Sequence, residues 1–568
     1  MPLSLGVGKG LARANLVARR GWVTSRTGAL LLIAVSAGPA TQFAAAMTAE
    51  TDVAKRFDVV VYGATAGGVT AAASAGRQGL TVALLEPGQH VGGMVSGGLS
   101  YTDIDRQEHL IGGSTLAFFK RLGARYGEPI GWRFEPHVAE QIFNELLREA
   151  HVTVFRGEQV VSVRKQGSEL KEMACESRHR YAAHVFIDSS YEGDLMKAAG
   201  VSYTVGREGR AKYGESLAGR QDLLPGVHQF QTDVFREGLK ANPGDDAAAP
   251  HITPQAQVAA TGEGDGRIQS YCYRITVTDD AKNRLPFTVP EGYDPGQFEL
   301  LKRYIESNPG LNLKGVLGIN RIPNGKGDTN SNGPVSLDYL GGNLEYPEAT
   351  PGRRAAIAGV HLRWAQGLFY FLQNDPSVPG SLQEEARAWG LPKDEFVDTG
   401  HLPFQLYVRE GRRMLGEYVL TQADLETSRH KPDSIGVAGY NIDIREVQWL
   451  THTVYRFPKM RDQVFTEGYV SQPVQPWEIP LRALLPRREQ ARNLLVTSCI
   501  SASTIAYASF RVEPTYMVAG ESAGMAAALS IQSKRGLHDL NYGRLRELLA
   551  ARGQILSAEQ SETLRGHS

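Results

Sequence analysis

Two groups of residues in this chain are of kinds that could do chemistry. The first is Gly63-Ala64-Thr65-Ala66-Gly67-Gly68, with an acid, Glu86, following it in sequence. A glycine-rich turn that opens a helix presents unpaired amides and the positive end of the helix dipole to a diphosphate. Gly63 would permit the tight turn, and Gly68 would let the helix lie close on a sheet. An acid roughly twenty residues on can accept hydrogen bonds from adenosine ribose hydroxyls, and its charge repels a 2′-phosphate. Thr65 stands where the fingerprint's middle glycine belongs, although Gly67 adds a neighbouring glycine. The plain alternative is an α/β turn that binds no nucleotide. The second group holds the catalytic candidates Arg511, Glu513, Arg409 and Tyr440. Arg511 could stabilise negative charge on a substrate or reduced cofactor, or simply pair with Glu513. Arg409, with Arg412 and Arg413, could hold a carboxylate or polyol, or belong to a solvated helix face. Tyr440, like Tyr271, Tyr273 and Tyr407, could line a pocket or fill core.

The elements that must position these residues are legible around them. Phe57-Asp58-Val59-Val60-Val61-Tyr62 is a nearly continuous apolar, β-branched run, as in a strand buried on both faces. An alanine-rich helix is predicted from Val69 to Arg77, with Gly79 at its C-cap. Thr81 to Leu85 forms a second strand, with Glu86 at its end. Such a βαβ unit, about thirty residues long with an acid closing it, is a dinucleotide-binding arrangement. A second glycine cluster, Gly92-Gly93-Met94 and then Gly97-Gly98, begins six residues past the acid. A simple nicotinamide dehydrogenase has no need of it. An extended FAD does, because paired glycines let the backbone approach its ribityl and flavin end. The later Gly262-Glu263-Gly264-Asp265-Gly266 precedes a strand-like stretch, 269–277, and reads as a loop.

From residue 57 to 532 the chain resembles the FAD-dependent oxidoreductase family, a glutathione-reductase-like flavoprotein group. The matching stretches include Phe134-Glu135-Pro136-His137, Phe186-Ile187-Asp188 with Glu192-Gly193-Asp194-Leu195, and Tyr271-Cys272-Tyr273-Arg274. Others are Leu406-Tyr407-Val408-Arg409-Glu410, Asn493-Leu494-Leu495-Val496, Ile500-Ser501-Ala502-Ser503 and Arg511-Val512-Glu513-Pro514. The resemblance implies that Gly63, Gly68, Glu86, Gly93 and Met94 line FAD, and that residues 493–504 return to the flavin. Thr65, Gly67, Gly92, Val160, Ser503 and Thr504 complete the expected cofactor set. The segment Val518 to Gly524 is expected to be a helix with small residues on one face, packed beside the cofactor. Thr504 and Arg445 stand where relatives carry His, so a histidine proton acceptor is not carried over at either.

The fold class expected is α/β: a Rossmann-like FAD-binding domain, glutathione-reductase-like, with an inserted α+β substrate domain. Its parts are 55–200 and 476–535 for FAD, 201–475 for the substrate cap and 536–568 for a peripheral tail. Residues 1–46 have a basic stretch (Arg13, Arg19, Arg20, Arg26), an apolar segment from Ala29 to Val35 and an Ala-x-Ala ending. That is the layout of an export signal, conceivable as the twin-arginine type, and too short in its apolar part to span a bilayer. Lys plus Arg and Asp plus Glu are 61 each, so no bulk charge draws the chain to nucleic acid or anionic membrane. Three distant cysteines, Cys175, Cys272 and Cys499, exclude a Cys-x-x-Cys metal site and are expected as free thiols. His137 and Glu140 have metal-ligand spacing but no third ligand, and Asp188, Glu192 and Asp194 are assigned turn and capping roles; no metal is expected. The activity expected is hydride transfer to flavin from a small polar molecule, a sugar or hydroxy acid, with an acceptor that the sequence leaves unnamed. The alternatives are a flavin-dependent lyase or isomerase, or an exported binding protein without catalysis.

Overall fold

A computed structural model describes residues 53–224, 228–230, 233–237 and 251–566. The export-signal expectation at 1–46 lies outside the described residues. The described chain is an α/β fold built on one seven-stranded sheet. Its strands are β1 (Lys55–Tyr62), β2 (Val82–Glu86), β3 (Thr153–Arg156), β4 (Val160–Gln166), β5 (Glu169–Cys175), β6 (Arg180–Asp188) and β7 (Leu494–Val496). The run Val59 to Tyr62 is fully buried, as its β-branched composition requires of a central strand. β3, β2, β1 and β6 lie side by side and parallel. β4 and β5 return as an antiparallel pair, and β5 meets the start of β6 at Met173–Tyr181. β7 runs parallel beside the end of β6, pairing Leu494 with Phe186 and Val496 with Asp188. Asn493 joins these pieces: its Oδ1 accepts from Leu170 N–H, and its Nδ2 donates to the carbonyls of Leu170 and His184.

Six helices matter for the site: α1 (Ala66–Gly76), α2 (Gly113–Tyr126), α3 (Pro136–Glu149), α4 (Pro351–Asn374), α5 (Thr504–Phe510) and α6 (Glu513–Ser533). The sequence of α1, AGGVTAAASAG, is small all round, and the helix is buried over nearly its whole length. α6 also carries small residues on the face that meets α1. A Cβ on Gly520 would overlap the carbonyl of Gly67, and one on Gly524 the carbonyl of Ala71. At this separation side chains bond to the partner's backbone. Thr70 Oγ1 donates to Met517 O at 2.9 Å, and Ser74 Oγ donates to Glu521 O at 3.0 Å. Glu521 in turn accepts from Ser114 N–H and Oγ at the start of α2, where the helix dipole favours a carboxylate. The expected small-faced helix exists, and α1 is what its small face packs against.

Between the two stretches of the main sheet lie smaller elements. Leu317–Ile322, Lys326–Ser331 and Thr276–Thr278 form an antiparallel sheet, and Gln448–Arg456 pairs with Lys459–Glu467. The regular strand in the 269–277 stretch is confined to its end, Thr276–Thr278. The glycine run at 262–266 is a loop, bridged to 207 through reciprocal backbone bonds between Arg207 and Asp265. Beyond α6, Leu545, Leu549 and Ala558 are fully buried, so this tail contributes to the core. All three cysteines are free and buried. Among the described residues no helix is long and apolar enough to cross a membrane.

The α1–α6 contact has a direct consequence. Gly524→Ala should lower stability by about 1–3 kcal/mol through overpacking, measured by thermal unfolding. Gly352→Ala, in the first turn of α4 where an added Cβ meets nothing within 4 Å, should leave the midpoint essentially unchanged.

Candidate functional site

The turn from β1 into α1 is held by specific contacts. Gly63 takes a left-handed conformation, φ +91°, and a Cβ there would come within 2.6 Å of Ser190 N. A Cβ at Gly68 would overlap Gly63 O. Thr65 sits at φ −62°, ψ 171°, which any residue adopts, so the missing middle glycine costs no strain. Its hydroxyl caps α1, accepting from Gly68 N–H at 3.1 Å, and donates to Ser189 O at 2.8 Å. The departure from the fingerprint is thus a helix cap that also fastens the turn to the segment after β6.

A cavity of about 300 Å³ opens at this turn. Gly63, Thr65, Glu86, Gly88, His90 and Gly93 line it from the nucleotide unit, and Gln159, Tyr191, Glu192, Arg354 and Leu406 close it. Glu86 accepts from Ala64 N–H through Oε2 and from Gly88 N–H through Oε1, both at 2.7 Å. Each oxygen keeps a lone pair for a further donor. Burial pushes this carboxyl up to about 7 against the pull of those two amides. Gly93, at φ +56°, is required because a Cβ would overlap the Tyr191 hydroxyl. That hydroxyl accepts from Met94 N–H at 2.9 Å and donates to Glu513 Oε1 at 2.7 Å. His90 stacks on Phe404 with ring centres 4.0 Å apart, and its Nδ1 meets Glu140 at 3.2 Å. Burial also raises Glu192, which accepts from Tyr346 OH at 3.0 Å. Arg354 is committed to Asp194 at 2.7 Å.

The remaining expected cofactor residues divide. Gly67 lies in the first turn of α1 against Tyr516, and Gly92 bonds its N–H to Ala64 O. Val160 does not line the cavity; its N–H meets the Tyr62 hydroxyl at 3.3 Å, and the neighbouring Gln159 takes the lining position. Ser503 caps α5 and bonds Glu215 instead, and Thr504, the first residue of α5, bonds Glu208, its Oγ1 donating at 2.8 Å.

The catalytic candidates are placed differently from a simple reading of their spacing. Arg511 does not pair with Glu513. Its guanidinium bonds Asp443 Oδ2 at 2.7 Å and Tyr407 OH at 3.2 Å, because the turn between α5 and α6 points the two side chains apart. Arg409 is on no solvated helix face. It lies in a buried loop, 2% exposed, with Asp338 and the Ser270 carbonyl as partners. Arg412 and Arg413 are likewise buried against acids, Asp194 with Glu348 and Glu208 with Glu410. Tyr440 is half-buried, close enough to Asp103 and Asp443 for their charges to raise its hydroxyl further above the range burial alone sets. The structure therefore gathers Arg511, Arg409 and Tyr440 around Tyr407, and joins Glu513 to the Met94 loop through Tyr191. Asp103 and Tyr191 are the residues that sequence reasoning passed over; neither has a local motif to announce it.

Nor does spacing identify the partners of His137 and Glu140. His137 bonds Glu395 and Glu140 bonds His90. Glu135, His137 and Glu395 come within metal-binding distance of one another. The ammonium of Lys326 bonds both Glu135 and Glu395 and supplies the positive charge there. Asp188 caps the turn after β6, accepting from Ser190 and Met196 amides.

A model of the FAD dependent oxidoreductase family matches residues 58–549, and the chain belongs to that family. Its cofactor is accordingly FAD. A search of curated proteins returns no match. Among solved structures, thioredoxin reductase of T. acidophilum is 20% identical over 23% of this chain and 34% of its own, with a TM-score of 0.16. L-proline dehydrogenase from P. horikoshii is 12% identical over 28% and 59%, TM-score 0.22. A variant of NikD, an unusual amino acid oxidase, is 16% identical over 27% and 57%, TM-score 0.21. The chain spans less than two thirds of each of these.

Two carboxyls here should shape the pH response. Glu86 and Glu513 are raised from 4.5 to about 7 and about 8 by burial. The folded state then holds protons that the unfolded chain gives up, so their contribution is full below pH 4.5 and is lost as pH rises through 7 to 8. The unfolding midpoint should fall over that interval, and Glu513→Gln should flatten the fall; an unaltered slope would contradict the assignment.

Proposed function

We propose that the cradle between Gly63 and Gly68 holds the diphosphate of FAD, with Glu86 accepting the adenosine ribose hydroxyls. Gly93 and Met94 would let the backbone meet the ribityl and flavin end, with Gly92 shaping the turn into it. The observation that carries this reading is the shared cavity: the turn before α1, the doubly anchored Glu86 and the Gly93 loop all face one space. When bound, FAD supplies a two-electron acceptor. The reaction class is then oxidation of a small polar organic molecule, and the interposed region 201–475 serves as the cap that binds it. Tyr407 and Arg409 of that cap, with Arg511 between α5 and α6, form a fixed wall. Arg511 is held by Asp443, so it orients the Tyr407 hydroxyl instead of meeting an anion. Glu513, raised by burial, can hold a proton one hydroxyl away from the Met94 amide. Export of the folded holoprotein is part of the same proposal, supported by the basic and apolar pattern of residues 1–46.

The purified protein should be yellow, absorbing near about 450 nm, and the right substrate should bleach it anaerobically. Glu86→Ala should weaken FAD binding by roughly 1.5–3 kcal/mol, the worth of hydrogen bonds to a charged group, measured by flavin fluorescence on release. Folded protein that takes up no FAD would overturn the reading.

A further inference from the structure

Around Tyr407 every arginine already has an acid, while two acids have oxygens without a donor. Arg274 bonds both oxygens of Asp328, at 3.0 and 2.8 Å. Arg409 bonds Asp338 at 2.7 Å, and Arg511 bonds Asp443 at 2.7 Å. All three guanidinium groups are buried. By contrast Asp103 Oδ2 and Glu513 Oε2 are buried with no hydrogen-bond partner among the described residues. The hydroxyls of Ser100 and Thr102, on the segment leading to Asp103, are also buried and unpartnered.

That segment is not slack. Asp328 accepts the amides of Ser100 and Tyr101, at 3.3 and 3.1 Å. Thr102 N–H donates to Trp132 O, and Phe134 N–H donates to Ser100 O. Asp103 is therefore delivered to its place by a backbone fixed on both sides. The charged and titratable groups within its electrostatic reach include Arg274, Arg511, Arg409, Asp328, Asp443, Glu513, Tyr407 and Tyr440. Of these, Tyr440 and Asp443 are half-buried, as Asp103 itself is, so solvent reaches the cluster on their side.

A buried carboxyl oxygen without a donor is costly, and native proteins rarely leave one unless a bound molecule or ion supplies the missing bond or the group has a chemical role. The ligand that fits can be read from what is already paired. A carboxylate would need a free cation, but the arginines are committed and two further acids stand beside the space. An ammonium would need the two leftover acids ionised, and burial raises both Asp103 and Glu513, holding them toward the neutral form. A neutral molecule rich in hydroxyls meets neither obstacle. We infer that this cluster binds a neutral polyol or sugar, with Asp103 Oδ2 accepting a hydrogen bond from one of its hydroxyls, and that it discriminates against small carboxylates. The inference rests on the flavin reading in taking this cluster as the substrate side of the cofactor.

The test is titration of the FAD-loaded protein with sorbitol and glucose as neutral probes, lactate and gluconate as carboxylates, and ethanolamine as the amine. Binding is followed by the flavin difference spectrum and, independently of flavin, by calorimetry. A neutral probe should bind saturably, the carboxylates and amine should not, and Asp103→Asn and Asp103→Ala should each weaken it by at least about 10-fold, one lost bond to a charged group. FAD content should be unchanged in both variants, since Asp103 Oδ2 has no hydrogen-bond partner among the described residues. Preference for a carboxylate or the amine, no saturable binding of a neutral probe, or undiminished affinity in both variants would overturn the inference. A colourless protein would instead overturn the flavin reading, and the calorimetric titration would still decide this one.

Discussion

The close crossing of α1 and α6 is the constraint on which the site depends. Two helices can approach backbone to backbone if their facing residues are small, and here Gly520 and Gly524 lie over the carbonyls of Gly67 and Ala71. Packing of this kind tolerates no added methylene without displacement of one helix. Thr70 and Ser74 turn the contact into hydrogen bonds with the α6 backbone, which sets the rotation of α1 as well as its distance. The N-terminus of α1, the donor end of the cradle, is thereby aligned with the turn at Gly63. The same helix α6 begins at Glu513, so its placement also sets the Tyr191 link to the Met94 loop. One packing contact thus registers two ends of the cavity against each other.

A second organising feature is the density of buried charge. Arg207, Arg274, Arg409, Arg412, Arg413 and Arg511 are all buried, and each has at least one carboxylate partner. Burying such pairs gains little net stability, because desolvation offsets most of the attraction. What the pairs provide is position, since an unpaired member would be costly and each side chain has one satisfactory arrangement. Loops among residues 201–475 are held in shape this way. Arg409 with Asp338 fixes the 406–410 segment beside the stretch that follows Lys326–Ser331, and Asp328 within that strand holds both Arg274 and the amides of Ser100 and Tyr101.

The nucleotide unit was legible in sequence because its determinants are local. The strand, the turn, the helix cap and Glu86 fall within thirty-odd residues, and each is specified by chain geometry or by the polarity of a buried face. The return of Asn493 to Val496 to the sheet was also legible, through the family pattern, and Asn493 bonds across β5 and β6 to make that return specific. Val160, Ser503 and Thr504 show the limit of the method. A residue type placed correctly along the chain can still turn its side chain to a different partner, as Ser503 and Thr504 do to Glu215 and Glu208, while the backbone N–H of Val160 meets the Tyr62 hydroxyl.

By itself the sequence determined the α/β class, the dinucleotide turn and the family to which the chain belongs, since glycine conformations and apolar periodicity act over a few residues. Tertiary structure alone decided which acid neutralises which arginine, and therefore which acids are left over. Arg409 meets Asp338 and Arg511 meets Asp443 across 71 and 68 residues of chain, and Asp103 Oδ2 meets no donor among the described residues. Charge pairing depends on separation in space and on exclusion of water, and neither quantity is carried by position along the chain.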